Sequence, residues 1–168
     1  MSRSNVDSDL ANEVITLLTA AQKTIVTAES CTGGLIAAAL TDIPGAAAAF
    51  YGGYVTYDNT AKSQMIQVPP RLILDYGAVS NQVARAMADG ARNTARTDYA
   101  VAVTGIAGPD GGSEKKPVGL VYVAVSSEQA TVVIENRFGD LGRANVRKAS
   151  VDAALNLVLQ VLTAAPER

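Results

Sequence analysis

The sequence predicts an α/β fold, a three-layer α/β/α sandwich around a mixed sheet. Helical and strand patterns alternate over the first hundred residues, as expected for parallel strands joined by helical crossovers. Two period-2 segments then lie close together around residue 128, the pattern of a hairpin, which adds antiparallel strands. Alanine supplies much of the 48% hydrophobic content, and small side chains let helices pack closely on a sheet. The 168 residues are expected to form a single domain over 1–168, with an ordered core over about 9–163. A chain of this size buries roughly 70% of its unfolded surface, so it folds without a disulfide or a metal.

Leu10, Val14, Leu17, Leu18 and Ala21 recur at helical spacing behind the cap candidates Asp7 and Ser8, predicting an amphipathic helix over 9–22. Thr24 to Ala28 reads as a short buried strand, Glu29 to Gly34 as a turn, and Leu35 to Leu40 as a second helix, ended by Ile43-Pro44-Gly45. Phe50 to Tyr57 has the aromatic and β-branched content of a strand, loosened by Gly52-Gly53. Asp58 or Asn59 can cap a short helix running to about Ile66, and Pro69-Pro70 opens another short piece. Ser80 caps a helix from about Asn81 to Thr94, with Val83, Met87 and Ala91 inward. Tyr99 to Val103 reads as a second buried strand, and Thr104 to Pro117 as a long glycine-rich loop. Gly119 to Ser126 and Ala130 to Phe138 alternate as the two hairpin strands, linked by Ser127 to Gln129. A last helix runs from about Arg143 to Leu162.

Composition removes several function classes. A net charge of -2, with a pI near 5.1, provides no long-range attraction for DNA or an anionic membrane. Aromatic residues are 5% of the chain and tryptophan is absent, too few for a base-stacking surface. No apolar run approaches the ~20 residues of a membrane helix. The polar stretch from Met1 to Asp9 has the character of neither a signal nor a transit peptide. The expected location is the cytoplasm, and Cys31, the sole cysteine, fits a reducing compartment because it has no internal partner. The chain has no histidine. A Ser-His-Asp triad, a Cys-His pair and imidazole-ligated zinc are therefore impossible within one chain. Acid–base work near neutral pH must fall to Lys, Tyr, Asp, Glu or Cys31.

Four stretches carry candidate chemistry. In Glu29-Ser30-Cys31-Thr32-Gly33-Gly34 a hydroxyl sits where a strand gives way to a helix. Free N–H groups at a helix start can hold a phosphate or an oxyanion, and Gly33-Gly34 admits close approach to the backbone. The alternative is that Ser30 or Thr32 is simply an N-cap. The stretch fits neither G-x-S-x-G nor a P-loop. In Tyr57-Asp58-Asn59-Thr60-Ala61-Lys62, the lysine lies about one turn into the expected helix, with Tyr57 near it. Without histidine a nucleophilic serine needs another base, and lysine is the usual substitute if burial lowers its pKa. The alternative is a solvated surface lysine. Thr104-Gly105-Ile106-Ala107-Gly108-Pro109-Asp110-Gly111-Gly112 follows a strand end, where open α/β sheets bind ligands, and its amides suit an anion. Arg143 and Arg147, four apart on one helix face, either clamp a phosphate or pair with Asp140 or Glu135. Cys31 reads as a small packing residue, since a reactive thiol there has no histidine to activate it.

Together these stretches resemble the CinA C-terminal domain family. The residues that carry the resemblance are Ala28-Glu29-Ser30-Cys31-Thr32-Gly33-Gly34, Tyr57-x-Asn59-x-x-Lys62, Thr104-Gly105-Ile106-Ala107-Gly108-Pro109, Lys116-Pro117-Val118-Gly119 and Arg143-x-x-x-Arg147. They stand in the family's order and span about residues 10 to 162. The characterised members are nicotinamide-nucleotide amidases, also called NMN deamidases. The resemblance therefore implies hydrolysis of the carboxamide of nicotinamide mononucleotide to nicotinate mononucleotide and ammonia, without metal or cofactor. It implies Ser30 as nucleophile with Lys62 and Tyr57 assisting. It also implies substrate contacts from among Thr32, Gly33, Gly34, Asn59, Thr104, Gly105, Gly108, Arg143 and Arg147. The expected partner is this small nucleotide, with no nucleic acid or membrane, and a homo-oligomer, a dimer by preference. Asp110 departs from the glycine expected in many relatives, and the chain is similar to the stand-alone form without the N-terminal domain of full-length CinA proteins. The runner-up reading is a non-catalytic nucleotide-binding or regulatory module of the same fold.

Overall fold

The computed structural model describes residues 8–164; Asp7, one of the two expected caps of the first helix, lies outside them. In chain order the elements are α1 (Ser8–Ala21), β1 (Ile25–Glu29), α2 (Leu35–Thr41), β2 (Phe50–Val55), α3 (Asn59–Ile66), α4 (Pro70–Tyr76), α5 (Asn81–Ala95), β3 (Tyr99–Gly105), β4 (Leu120–Ser126), β5 (Thr131–Arg137) and α6 (Arg143–Thr163). A single 3-10 turn, Ala46–Ala48, precedes β2. The five strands form one sheet in the order β2-β1-β3-β4-β5. β1 is parallel to both β2 and β3, whereas β4 runs antiparallel to β3 and to β5. This is the expected three-layer sandwich on a mixed sheet.

The side-chain alternation of β3 separates the two faces. Val101 and Val103 point into a core shared with α1, α2 and α6, while Ala100 and Ala102 face a second core built on α5. On β4, Val121, Val123 and Val125 join the first core and Ala124 the second. The alanine face lets α5 settle close to the sheet through its own Val83, Ala84, Met87, Ala88 and Ala91. Ser80 caps this helix as expected, its hydroxyl accepting from Val83 N–H at 3.2 Å. Among the described residues, no helix is long and apolar enough to cross a membrane.

Several boundaries differ from the sequence reading. Glu29 belongs to β1, not to the turn, because it continues the ladder opposite Val55 and Val103. Thr104 and Gly105 belong to β3, because they continue the pairing with Tyr122 and Val121 of β4, so the glycine-rich loop begins at Ile106. Glycine content marked Gly105 as loop, but its β-character comes from its partner strand rather than from local propensity. β2 stops at Val55, which leaves Tyr57 beyond the sheet.

One glycine brings a second helix into the α5 layer. A Cβ at Gly90 would lie 1.8 Å from the Ile66 carbonyl oxygen, so a residue without a side chain is required where the end of α3 crosses α5. Gly90→Ala is expected to push α3 away and to destabilise the fold by more than about 2 kcal/mol, as overpacking against fixed backbone does. A urea-unfolding midpoint equal to that of the wild type would contradict this.

Candidate active site

The site forms where β1 and β3 end side by side, at the carboxyl edge of the parallel strands. Glu29 pairs with Val103, and Ser30 N–H donates to the Val103 carbonyl at 3.0 Å. One residue further along, Ser30 and Thr104 stand abreast. Ala28 and Ala102, two residues earlier, face the α5 core, so strand alternation directs Ser30 and Thr104 to that side as well.

Lys62 arrives from α3. Asp58 caps that helix, its Oδ1 accepting from Thr60 N–H at 2.7 Å. The first turn then points Lys62 inward, where it is 1% exposed. Its Nζ lies 3.2 Å from Ser30 Oγ and donates to the Tyr57 carbonyl at 3.2 Å. Burial pushes the lysine pKa below its ordinary 10.5, while the charge of Asp58 acts the other way. Among the described residues no carboxylate lies within ion-pairing distance of Nζ. Lys62 is therefore not the solvated surface lysine of the alternative reading.

A cavity of about 190 Å³ opens beside this pair. Of the sequence candidates, Ser30, Tyr57, Asn59, Lys62, Thr104, Gly105 and Arg143 line it. Cys31 and Ala107, from two of the candidate stretches, also line it, as do Ala78 and Val79, which lie outside all four stretches. Ala78 and Val79 precede the Ser80 cap, so their position depends on how the α4–α5 connection folds back over β3. Burial pushes the Cys31 thiol up to about 11, keeping it protonated and in keeping with a packing role.

Thr32, Gly33, Gly34, Gly108 and Arg147 do not line the cavity. The buried Glu29 carboxylate reaches beneath α2, where Oε1 accepts from Thr32 Oγ1 at 2.7 Å and from Ile36 N–H at 2.8 Å. Its Oε2 accepts from Ala37 N–H at 3.1 Å. The helix-start N–H groups of Ile36 and Ala37 are thus satisfied internally. Neither Ser30 nor Thr32 is the N-cap. Gly34 occupies that position at φ 105°, a left-handed backbone that suits glycine, and it offers no side-chain cap. Glu29 takes over that task from the strand end.

The two arginines diverge. Arg147 donates from Nε to the Cys31 carbonyl at 3.0 Å and from Nη2 to the Thr32 carbonyl at 3.2 Å, holding the Ser30 turn from the α6 side. Arg143 donates to the Gly108 carbonyl at 2.8 Å and to the Tyr57 hydroxyl at 2.9 Å, at the cavity rim. The expected alternative of pairing with Asp140 or Glu135 does not form: Asp140 accepts from Gly142 N–H, and Glu135 engages Tyr122 and Arg137. Tyr57 meets Lys62 through its backbone carbonyl, and the residue as a whole is 59% exposed. Among the described residues no group of three or more His, Cys, Asp or Glu converges as metal ligands would.

A buried amine touching a serine hydroxyl at the carboxyl edge of a mixed sheet defines an α/β protein with a Ser–Lys site. The CinA C-terminal domain family matches residues 7–162, and the chain belongs to that family. A CinA-like protein of Parasynechococcus marenigrum is 46% identical over 159 residues, covering 94% of this chain and 38% of the relative. A second CinA-like protein, of a Synechococcus species, is 48% identical over 153 residues, covering 90% and 37%. The chain thus spans less than two fifths of the length of these curated relatives. The crystal structure of the competence/damage inducible protein CihA from Agrobacterium tumefaciens superposes with a TM-score of 0.91 at 47% identity, covering 96% of this chain and 99% of that one. A CinA superfamily protein of Escherichia coli superposes with a TM-score of 0.89 at 31% identity, covering 96% and 94%.

The buried lysine has a consequence for stability. Folded Lys62 releases its proton at a lower pH than the unfolded chain does, so the unfolded state binds more protons between the two pKa values. Wild-type stability therefore rises with pH across that window, which closes near 10.5. Lys62→Met, similar in shape and uncharged, is expected to flatten this slope and to raise the urea midpoint at pH 7. A lower midpoint at pH 7 would count against the burial account.

Proposed function

We propose that the chain is a metal-independent amidase that deamidates nicotinamide mononucleotide to nicotinate mononucleotide and ammonia, with Ser30 as the nucleophile. The observation that supports this best is the 3.2 Å contact between Ser30 Oγ and the Nζ of a lysine that burial drives toward its neutral form. The alternative, a non-catalytic nucleotide-binding module, would use Lys62 as a phosphate-binding cation. A 1% exposed amine with a lowered pKa suits a base better than such a cation.

In the proposed reaction, neutral Lys62 takes the Ser30 proton while Oγ attacks the carboxamide carbon. The direct Ser30–Lys62 contact supports transfer without a relay through the Tyr57 hydroxyl, which Arg143 engages. Backbone N–H groups of the Cys31–Thr32 turn, which Glu29 does not consume, are the proposed donors to the tetrahedral oxyanion. Lys62 returns the proton to the leaving nitrogen, the C–N bond breaks and ammonia departs. Water, deprotonated by the same amine, then cleaves the acyl ester and restores Ser30. A cavity of about 190 Å³ takes the carboxamide end of a nucleotide rather than the whole of it. The ribose and phosphate then lie at the rim, where Arg143, which lines the cavity, is the proposed phosphate contact; Arg147, which does not line it, serves the turn instead.

Purified protein incubated with nicotinamide mononucleotide and a chelator is expected to release ammonia. Ser30→Ala should lower kcat by at least ~10³-fold, and Lys62→Arg should be comparably impaired, since arginine does not act as a base. No ammonia from the wild type, with the nucleotide still bound, would favour the binding-module reading. Because the base is the deprotonated amine, kcat/KM should rise with pH through a pKa below 10.5 and level off above it. A rate that falls over that range would contradict Lys62 as the base.

A further inference from the structure

Thr104 lines the cavity beside Ser30, and its hydroxyl already has a partner. It is 1% exposed, and its Oγ1 lies 2.8 Å from the Ala78 carbonyl oxygen. A backbone carbonyl has no proton to give, so the Thr104 hydroxyl is the donor and its single hydrogen is committed to Ala78. What remains available to the cavity is lone pairs alone.

The loop carrying Ala78 is held on both sides of that contact. The Ser80 hydroxyl donates to the Gly77 carbonyl at 2.8 Å and accepts from Val83 N–H at 3.2 Å. Turning the Thr104 hydroxyl toward a ligand would strip a half-buried carbonyl of its donor, which is unfavourable.

A ligand atom beside Thr104 must therefore donate. The nitrogen of a primary carboxamide has two N–H groups; a carboxylate at neutral pH has none. We propose that Thr104 is a specificity-determining residue that accepts a hydrogen bond from the amide nitrogen of the substrate and disfavours the carboxylate product. This inference rests on the amidase reading of the site. Such a group discriminates more by what it cannot pair with than by what it attracts. The product formed beside Ser30 then meets an oxygen facing its own, and release follows from the same contact that selected the substrate.

The test separates binding from turnover. In a Ser30→Ala background, calorimetry gives the affinities for nicotinamide mononucleotide and nicotinate mononucleotide, which differ only in the group Thr104 would read. The chain with Thr104 intact is expected to prefer the amide. Thr104→Val, equal in size but without lone pairs, should lower the amide-to-acid affinity ratio about tenfold, the loss of one hydrogen bond. Thr104→Ser should retain the ratio. Thr104→Ala, a second truncation should the valine variant fold poorly, should lower it as valine does. A purely structural residue would weaken both ligands equally, so an unchanged ratio in the truncations, or a lost ratio in Thr104→Ser, overturns the proposal. Ammonia release by the chain with Ser30 and Thr104 intact is measured separately, so an active enzyme with an unmoved ratio refutes Thr104 alone. Failure of both ligands to bind refutes the substrate assignment and this inference together.

Discussion

Holding the Lys62 amine against Ser30 and away from water is the constraint to which the rest of the site answers. A lysine taken out of water is costly as a cation, and the strain is relieved when it gives up its proton. The Asp58 carboxylate, whose charge opposes that release, is turned to the first turn of α3, where it caps the helix at Thr60 N–H. The amine keeps one backbone acceptor, the Tyr57 carbonyl, and the serine hydroxyl. The arrangement requires α3 to sit tightly over α5, which in turn requires Gly90 beneath the Ile66 carbonyl. The alanine face of the sheet completes the chain of dependence by letting α5 approach.

The turn that carries Ser30 is restrained from two sides by opposite charges that never meet there. From the strand, the Glu29 carboxylate gathers the Thr32 hydroxyl and two helix-start amides. From α6, Arg147 gathers the carbonyls of Cys31 and Thr32. Donors are satisfied on one side and acceptors on the other, so the turn presents Ser30 with its flanking peptides fixed before any ligand arrives. Preorganisation of this kind lowers the reorganisation needed during a reaction.

Much of this was legible in the chain. Alternating periods gave the layers and the hairpin, and the Asp58 and Ser80 caps followed from residue type and spacing. The absence of histidine directed attention to lysine as the base for Ser30, and Lys62 does lie beside it. Other features depend on partners distant in sequence. The pairing that extends β3 through Thr104 and Gly105 comes from β4. Glu29 as a cap from seven residues upstream is invisible to a search for a side chain at the helix start. Arg143 and Arg147 share a spacing that suggests joint action, yet side-chain direction sends one to the rim and the other to the turn. Ala78 and Val79 carry no functional signature; a connection folding over the strand ends makes them part of the cavity wall.

On the proposed amidase reading, the small cavity divides the labour of recognition. Its floor, Ser30 and Thr104, belongs to the sheet ends, and Lys62 is clamped there by helix packing. Its rim, Tyr57, Asn59 and Arg143, stands on loop and helix-start positions that carry little of the core. On that reading, exchanging rim residues would redirect the scaffold toward other molecules bearing the same reactive group while leaving the proposed reacting pair in place. Evolution on this fold is thus freer to change what is carried to the serine than what happens there.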